Sequence, residues 1–243
     1  DVASQNAKSL AIEVSKKIDE LLPHMSLLLQ GTQKQSYSFG CQLVHELDDV
    51  MQLLDSAFKY LGEIEQSNPS LIIGIYCGLF EQSHQLWQEN IDRLLADEKL
   101  VYLYPDLIRT GKIHKSHLDT LLDLIRRDIV SPNSANALSY GSVTDGIAPE
   151  VVAEFCLQLT KLGDQASWSA LNVIYMYCFA NKDSIGKLSE SLKQLVTAVP
   201  LHEDKGRTLT DTHHWYDLAE KLLKEPNKEK EFAIALTNQL IAA

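Results

Sequence analysis

Two segments in the middle of the chain each have an echo further along, and this near-repeat constrains the fold more than any other feature. Ile113–Ile125 is echoed by Ile147–Leu159, and Ser134–Tyr140 is echoed by Ser167–Tyr175. The offset falls in the range of roughly 30–47 residues that is typical of helical repeats. Stacked repeats of this kind usually bind other macromolecules and perform no chemistry themselves. We therefore expect a helical interaction scaffold.

Apolar residues recur at helical spacing along most of the chain, which predicts an all-α fold. Runs of alternating β-branched residues are absent from the sequence, so no sheet is expected. The clearest helix is predicted over Tyr37–Gln66, and the next over Ser70–Ala96 with a break near Ser83. Further along, shorter amphipathic helices are paired by polar turns, which is typical of stacked antiparallel hairpins or an irregular α-solenoid. We predict a long-helix bundle or capping region over 1–99 and a helical-hairpin region over 100–243; the two could also form one continuous domain.

The charge of the chain disfavours nucleic-acid binding. The formal net charge is −11, and an acidic protein repels the phosphate backbone unless it carries a concentrated basic face. The densest basic cluster comprises Lys112, Lys115, Arg126 and Arg127, and aspartates interrupt it. We interpret it as a solvated helix face and keep a helical-repeat nucleic-acid reader as an alternative.

The cysteines indicate a reducing compartment. Cys41, Cys77, Cys156 and Cys178 form no C-x-x-C pair, and each lies within an apolar helical pattern. Their wide spacing predicts neither a disulfide framework nor a zinc site, so no cofactor or metal is expected. Buried free thiols and a cytoplasmic location are the simplest interpretation.

The longest apolar run, Leu71–Phe80, is about half as long as a membrane-spanning helix requires, so no membrane contact is expected. Gly74 and Gly78 within it form a G-x-x-x-G pattern, which indicates close helix packing. The chain begins at Asp1 and ends in a helical pattern, from which we expect a piece of a larger polypeptide.

One segment favours an enzymatic alternative. Leu43–Asp55 superficially resembles the aspartate-rich motif of the all-helical isoprenoid synthases, in which carboxylates hold magnesium against a diphosphate. A glutamine, Gln52, stands where that motif has an acid. In a continuous helix Asp48 and Asp49 would face outward, with His45 beside Asp49. We interpret the segment as a solvated face and keep a metal-dependent helical enzyme as an alternative. Its candidate residues are His45, Asp48, Asp49 and Asp55.

Histidine pairs are the other candidate metal ligands. His114 and His117 are three residues apart, and His213 and His214 are adjacent. Zinc hydrolases use histidine pairs on one helix face with a nearby acid, but no H-E-x-x-H is present. Surface or helix-capping histidines are the better interpretation.

An aromatic cluster provides the candidate interaction site. Its members are Trp168, Tyr175, Phe179, Trp215 and Tyr216. Most aromatic side chains pack in the core, but tryptophan and tyrosine also anchor protein interfaces. If Tyr175 or Phe179 is exposed together with Trp215, a binding groove is expected there. The partner would be a protein or another domain of the same chain.

Several short motifs together resemble HEAT-like helical repeats over roughly positions 105–200. The motifs are Gly111-Lys-Ile-His-Lys-Ser-His-Leu118, Leu138-Ser-Tyr-Gly141, Ile147-Ala-Pro-Glu150 and Ser169-Ala-Leu-Asn-Val-Ile-Tyr175. Repeats of this family form scaffold regions in large multidomain proteins, including bacterial defence-type NTPases. The resemblance implies a recognition or regulatory arm attached to a catalytic domain elsewhere, and no catalytic residue in this chain.

Overall fold

The chain folds entirely into helices in the part that the structure describes. The computed structural model describes residues 1–30, 33–61, 63, 68–140, 143–201, 208–224 and 230–242. Within these ranges every regular element is a helix and no strand is present, which confirms the all-α prediction. No helix in the same ranges is long and apolar enough to cross a membrane. Contacts divide the chain into two compact units, Asp1–Gly111 and Lys112–Ala243.

The first unit is organised around one buried helix. Residues 71–76 of that helix are buried on every side, as its uniformly apolar sequence predicts. This helix, over Ser70–Gln82, is contacted by the helices over Ser36–Glu46, His84–Leu95 and Tyr104–Ile108. The α-helices of this unit are α1 (Val2–Ser15), α2 (Ile18–Leu21), α3 (Met25–Leu28), α4 (Ser36–Glu46), α5 (Met51–Leu61), α6 (Ser70–Gln82), α7 (His84–Leu95) and α8 (Tyr104–Ile108), with 3-10 helices over Leu22–His24 and Val101–Leu103.

Helices α4 and α6 meet backbone to backbone because glycines occupy their contact positions. A Cβ atom on Gly74 would lie 2.1 Å from the carbonyl oxygen of Tyr37, and one on Gly78 would lie 2.7 Å from that of Cys41. On α4, a Cβ atom on Gly40 would come within 2.6 Å of the backbone of α6. The close packing predicted from the G-x-x-x-G pattern is confirmed. We call this contact the glycine seam, and it brings the side chains beside the glycines together.

The predicted continuous helix over Tyr37–Gln66 is wrong, because the chain leaves the helical path after Glu46. Leu47 has extended backbone, with φ −97° and ψ 133°. The carboxylate of Asp49 then accepts a hydrogen bond from the amide of Met51 at 2.9 Å and so begins α5. The apolar stripe continues on both sides of this break, and periodicity therefore did not reveal it. The predicted end of this helix at Gln66 lies outside the described residues, as does Gly141.

The predicted break near Ser83 is confirmed. Ser83 has extended backbone, with φ −157° and ψ 114°, and separates α6 from α7. Its hydroxyl oxygen accepts a hydrogen bond from the amide of Leu86 at 3.2 Å, which satisfies one of the free donors at the start of α7.

Residues 101–111 belong to the first unit by their contacts. The indole N–H of Trp87 donates to the hydroxyl of Thr110 at 2.9 Å, and a Cβ atom on Gly111 would lie 2.5 Å from the Trp87 ring. Helix α8 also packs against α6 and α7. The contacts therefore divide the chain after Gly111, whereas the sequence pattern places the boundary near Leu100.

The second unit is organised around its longest helix, which packs against a 3-10 helix over Pro132–Ser139 and against three α-helices. The first sequence echo corresponds to two helices of equal length, over Lys115–Arg126 and Pro149–Thr160, which contact each other. The second echo pairs the 3-10 helix with the interior of an α-helix, so the repeat is structurally irregular. The α-helices are α9 (Lys115–Arg126), α10 (Pro149–Thr160), α11 (Asp164–Ala180), α12 (Ser184–Lys187), α13 (Ser189–Ala198), α14 (Leu209–Leu223) and α15 (Lys230–Ala242).

Candidate functional site

Two of the five predicted interaction residues lie in the core of the second unit. Trp168 is 2% exposed and Trp215 is 5% exposed. The indole N–H of Trp215 donates to the carbonyl oxygen of Val196 at 2.9 Å, which satisfies its one polar group inside the core. Both side chains therefore stabilise the packing of helices and leave no surface for a partner.

Three rings form a continuous stack at the surface of the same unit. The rings of Tyr175 on α11 and His214 on α14 are nearly parallel, with centroids 3.9 Å apart and an interplanar angle of 16°. Phe179 lies one turn after Tyr175, with centroids 6.5 Å apart and an angle of 22°. Phe179 is 62% exposed, and the other two rings are partly exposed. We call these three residues the aromatic strip.

The remaining predicted residue, Tyr216, is exposed but lies on another side of α14. It follows His214 by two positions, which corresponds to a rotation of about 200° around an α-helix. Its ring is 62% exposed. The structure therefore brings together Tyr175 and Phe179 from the predicted set and adds His214, which the sequence pattern had indicated only as a surface histidine.

A partly buried polar network fixes the His214 end of the aromatic strip. The Nδ1 atom of His214 lies 2.8 Å from the side-chain oxygen of Asn172, and the amide group of Asn172 donates to Asp211 at 2.7 Å. Asp211 is buried and accepts a hydrogen bond from the backbone amide of Thr208 at 2.6 Å, which begins α14. Burial lowers the pKa of His214 below its usual value, although the charge of Asp211 opposes this. The imidazole is therefore held neutral and in one orientation.

A charged pair borders the other side of the strip. The ammonium group of Lys221 lies 2.6 Å from Asp217 and 5.9 Å from the centroid of the Tyr175 ring. Burial raises the pKa of Asp217, but the hydrogen bond from Lys221 and its charge outweigh this and lower the pKa overall. The strip thus combines exposed apolar rings with a polar rim, the composition that protein interfaces favour.

The four residues of the enzymatic alternative do not converge. His45 contacts Glu81, Asp49 begins α5, and Asp55 forms an ion pair with Arg93. Asp48 is exposed in the break between α4 and α5. The outward-facing placement predicted for Asp48 and Asp49 assumed one continuous helix, and that helix is interrupted at Leu47.

The basic residues of the nucleic-acid alternative lie among acids. Lys115 is paired with Asp119 at 2.6 Å, and Arg127 is paired with Asp123 at 3.3 Å. Lys112 is exposed. Arg126 and Lys115 line a groove of about 550 Å³ between α9 and α10 that also contains three carboxylates. These pairs are the solvated face that the sequence indicated.

One of the two histidine pairs caps a helix, and the other lies within α14. His117 is buried, and its Nδ1 atom accepts a hydrogen bond from the backbone amide of His114 at 3.0 Å, at the start of α9. His213 lies beside His214, with ring centroids 6.2 Å apart. Neither pair belongs to a group of metal-ligating side chains among the described residues.

A second cluster, which sequence reasoning missed, lies at the glycine seam of the first unit. The side-chain ligand atoms of Cys41, Cys77 and Glu81 all lie within 4.8 Å of one another. Each sulfur atom is 3.6 Å from a different oxygen of the Glu81 carboxylate. His45 places its Nε2 atom 2.8 Å from Glu81, and the hydroxyl of Tyr37 donates to the Cys77 sulfur at 2.9 Å. We call the first three residues the thiol cluster.

The thiols in this cluster have opposed acidities. The hydrogen bond from the Cys41 thiol is the largest influence on Cys77 and, with that from Tyr37, lowers the pKa of Cys77 to about 7. The same contact raises the pKa of Cys41. The hydrogen bond from His45 lowers the pKa of Glu81. The cluster therefore favours one thiolate and one carboxylate near neutral pH.

The expectation that all four cysteines are buried is wrong for half of them. Cys156 and Cys178 are buried, whereas Cys41 and Cys77 are partly exposed. Two sequence signals point to the thiol cluster in retrospect. Cys41 and His45 are four residues apart on one helix, and so are Cys77 and Glu81 on the other, which places each pair on one helix face. Gly74 and Gly78 then indicate a close partner for the second helix.

Comparisons with known proteins do not identify a family for this chain. No protein-family model, curated protein or solved structure matches the chain at a significant level.

Proposed function

We propose that the chain is a non-catalytic helical scaffold that binds a protein partner, or another domain of a larger polypeptide, through the aromatic strip. The observation that carries this proposal is the exposure of Phe179 at the end of a rigid ring stack. Large apolar side chains that are exposed and adjacent mark interaction sites more often than isolated ones do. Aromatic residues also dominate the energy of protein interfaces.

The rigidity of the strip supports a binding role. The network from His214 through Asn172 to Asp211 orders the ring stack before any partner arrives. A preorganised surface loses less conformational entropy on binding than a mobile one does. A partner segment with an apolar side chain beside a polar or cationic group would complement both the rings and the carboxylate of Asp217.

We further propose that the second unit functions as an irregular stack of helical hairpins, as the HEAT-like resemblance implies. The contacts between α9 and α10, between α10 and α11, and between α13 and α14 support this arrangement. A scaffold of this kind presents one helix face and requires no catalytic residue. A reducing compartment such as the cytoplasm suits it, since all four cysteines are free thiols.

The test uses the intact chain as bait in lysate of its own host, with captured proteins identified by mass spectrometry. The informative variant replaces the exposed ring of Phe179 and the partly exposed ring of Tyr175, as Tyr175→Ser with Phe179→Ser. Tyr216→Ser is the matched control because Tyr216 is as exposed as Phe179 but lies on another side of α14. We expect the double variant to lose a partner that the wild type and the control retain, with unchanged circular dichroism.

Two results would contradict this proposal. Retention of every captured protein by the double variant would show that the aromatic strip is not the binding surface. Loss with Tyr216→Ser alone would place the interface on the opposite side of α14. A captured domain would then be titrated against the purified chain by calorimetry to establish direct binding.

A further inference from the structure

The geometry of the glycine seam points to a metal site in the first unit: we propose that Cys41, Cys77 and Glu81 bind one thiophilic divalent cation, of which zinc is the representative. Cys41 is supplied by α4, and the other two ligands are supplied by α6. The wide separation of the cysteines in the sequence predicts no zinc site. The contact between two helices removes that objection, because it brings both sulfur atoms to one carboxylate.

The distances in the thiol cluster match those of a tetrahedral site. With zinc–sulfur bonds of about 2.3 Å and zinc–oxygen bonds of about 2.0–2.2 Å, sulfur and oxygen ligands lie about 3.5 Å apart along a tetrahedral edge. Each cysteine sulfur is 3.6 Å from a different oxygen of Glu81, so the carboxylate must rotate to bring both sulfur atoms to the one oxygen that binds the ion. A cation could therefore be accommodated with small side-chain rotations and no movement of the helices.

The donor set selects the class of ion. The two thiolates are soft ligands, and with the carboxylate they give the site a net negative charge; thiolates favour zinc, cobalt or cadmium over magnesium or calcium. The three ligands are partly or largely exposed, so an ion can reach them from solvent. Three protein ligands leave the fourth tetrahedral position to a water molecule.

Two neighbouring side chains are placed to support the ligands. His45 Nε2 lies 2.8 Å from one oxygen of Glu81, and the Tyr37 hydroxyl donates to the Cys77 sulfur at 2.9 Å. Hydrogen bonds of this kind orient metal ligands, and their loss typically reduces metal affinity by roughly 10–100-fold. We assign both residues as positioning residues that do not themselves contact the ion.

The competing state of the same residues is a disulfide between Cys41 and Cys77, which would occupy both sulfur atoms. To distinguish the metal-bound state from the disulfide, the 243-residue chain is prepared with a phosphine reductant, and metals are removed with a chelator. Cobalt(II) is then titrated as a spectroscopic probe, and zinc(II) is added to displace it. Thermal melts with and without zinc(II) give a second readout.

We expect one cobalt ion per chain, with sulfur-to-metal charge-transfer bands in the near ultraviolet and the visible bands of tetrahedral cobalt. Zinc should abolish these bands and raise the melting temperature of the first unit by about 11–22 °C at a hundredfold excess over its Kd. Cys41→Ser and Cys77→Ser should each weaken affinity on the order of 100-fold or more and lose part of the charge-transfer intensity. Cys156→Ser and Cys178→Ser, which change buried thiols in the second unit, are the matched controls and should retain the bands.

Glu81→Gln keeps the test decisive if a cysteine variant fails to fold, because Glu81 is largely exposed. It should weaken cobalt affinity roughly tenfold or more with an unchanged metal-free melting temperature. His45→Gln should weaken affinity to a similar extent while keeping both sulfur-to-metal bands.

Several outcomes would overturn the proposal. These are absent charge-transfer bands in the reduced chain, bands of undiminished intensity and affinity in Cys41→Ser, or bands that require Cys156 or Cys178. A Cys41–Cys77 disulfide in the unreduced chain, combined with no cobalt uptake after reduction, would assign the cluster to redox chemistry instead.

Discussion

Substituting Gly74 by alanine tests the closest contact in the first unit. A Cβ atom there would lie 2.1 Å from the carbonyl oxygen of Tyr37, whereas ordinary contacts begin near 3.4 Å. Helices α4 and α6 would have to separate by about 1 Å, and overpacking of this kind typically costs about 1–3 kcal/mol or more. Alanine also gains about 1 kcal/mol of helix propensity, which offsets part of the cost. Because the obstructing atom belongs to rigid backbone, we expect a gross cost of about 4 kcal/mol, above that typical range, and therefore a net loss of about 3 kcal/mol.

Gly186→Ala is the matched control. Gly186 also lies in a helix, α12, but a Cβ atom built on it meets nothing within 4 Å. The same chemical change should therefore leave the second unit unchanged or stabilise it by up to about 1 kcal/mol. The contrast between the two glycines isolates the contact at the seam from the general effect of replacing glycine.

The assays are urea denaturation and thermal melting, both followed by far-ultraviolet circular dichroism in the presence of a chelator so that metal binding does not mask the loss. For a domain of about 100 residues, a loss of 3 kcal/mol corresponds to a fall in melting temperature of roughly 12–24 °C. Equal stability of Gly74→Ala and the wild type would refute the close approach of α4 and α6. The thiol cluster would lose its structural basis with it.

Two further predictions concern the second unit. Trp215→Ala should reduce its free energy of unfolding by about 3–5 kcal/mol in urea titrations, because it removes a buried ring together with its hydrogen bond to the carbonyl oxygen of Val196. Tyr216→Ala should change it by less than about 0.5 kcal/mol, and equal losses would contradict the assignment of Trp215 to the core. Because burial lowers the pKa of His214, the unfolded chain takes up its proton first. Stability should therefore fall as the pH decreases from about 6.5 toward the folded pKa. This share of the pH dependence should be absent from His214→Gln, and an identical pH profile in that variant would exclude His214 as its source.

Local sequence signals were sufficient where a single residue decides the backbone. Ser83 ends one helix and begins the next through its own hydroxyl, and Pro149 stands at the first position of α10, as its missing N–H favours. The same kind of reasoning did not predict the break at Leu47. Leu43, Val50 and Leu54 are all buried, so the apolar spacing continues although the helix does not. Apolar periodicity indicates which residues are buried more reliably than it indicates whether the helix between them is continuous.

The candidate sites are formed by contacts between segments that are far apart in the chain. A single sequence does not show which segments contact each other. Trp168 and Phe179 lie in the same helix and are equally apolar, yet one is buried and the other exposed, because neighbouring helices cover only part of α11. Cys41 and Cys77 similarly look like unrelated core thiols until α4 and α6 are packed together. The sequence shows the residue types and the glycine pattern, but it does not identify the helix that packs against the glycines.

The glycine seam and the thiol cluster are physically linked, and the aromatic strip is independent of both. A cation held between Cys41 on α4 and Cys77 on α6 would bind the folded unit and not the unfolded chain. It would therefore stabilise the seam by about 2.7 kcal/mol at a hundredfold excess over its Kd. This energy is comparable to the loss expected from Gly74→Ala, so metal could restore much of the stability of that variant. The strip belongs to the other unit and uses none of these side chains. A chain without metal affinity could still bind a partner through Phe179, and a chain without a partner could still bind metal.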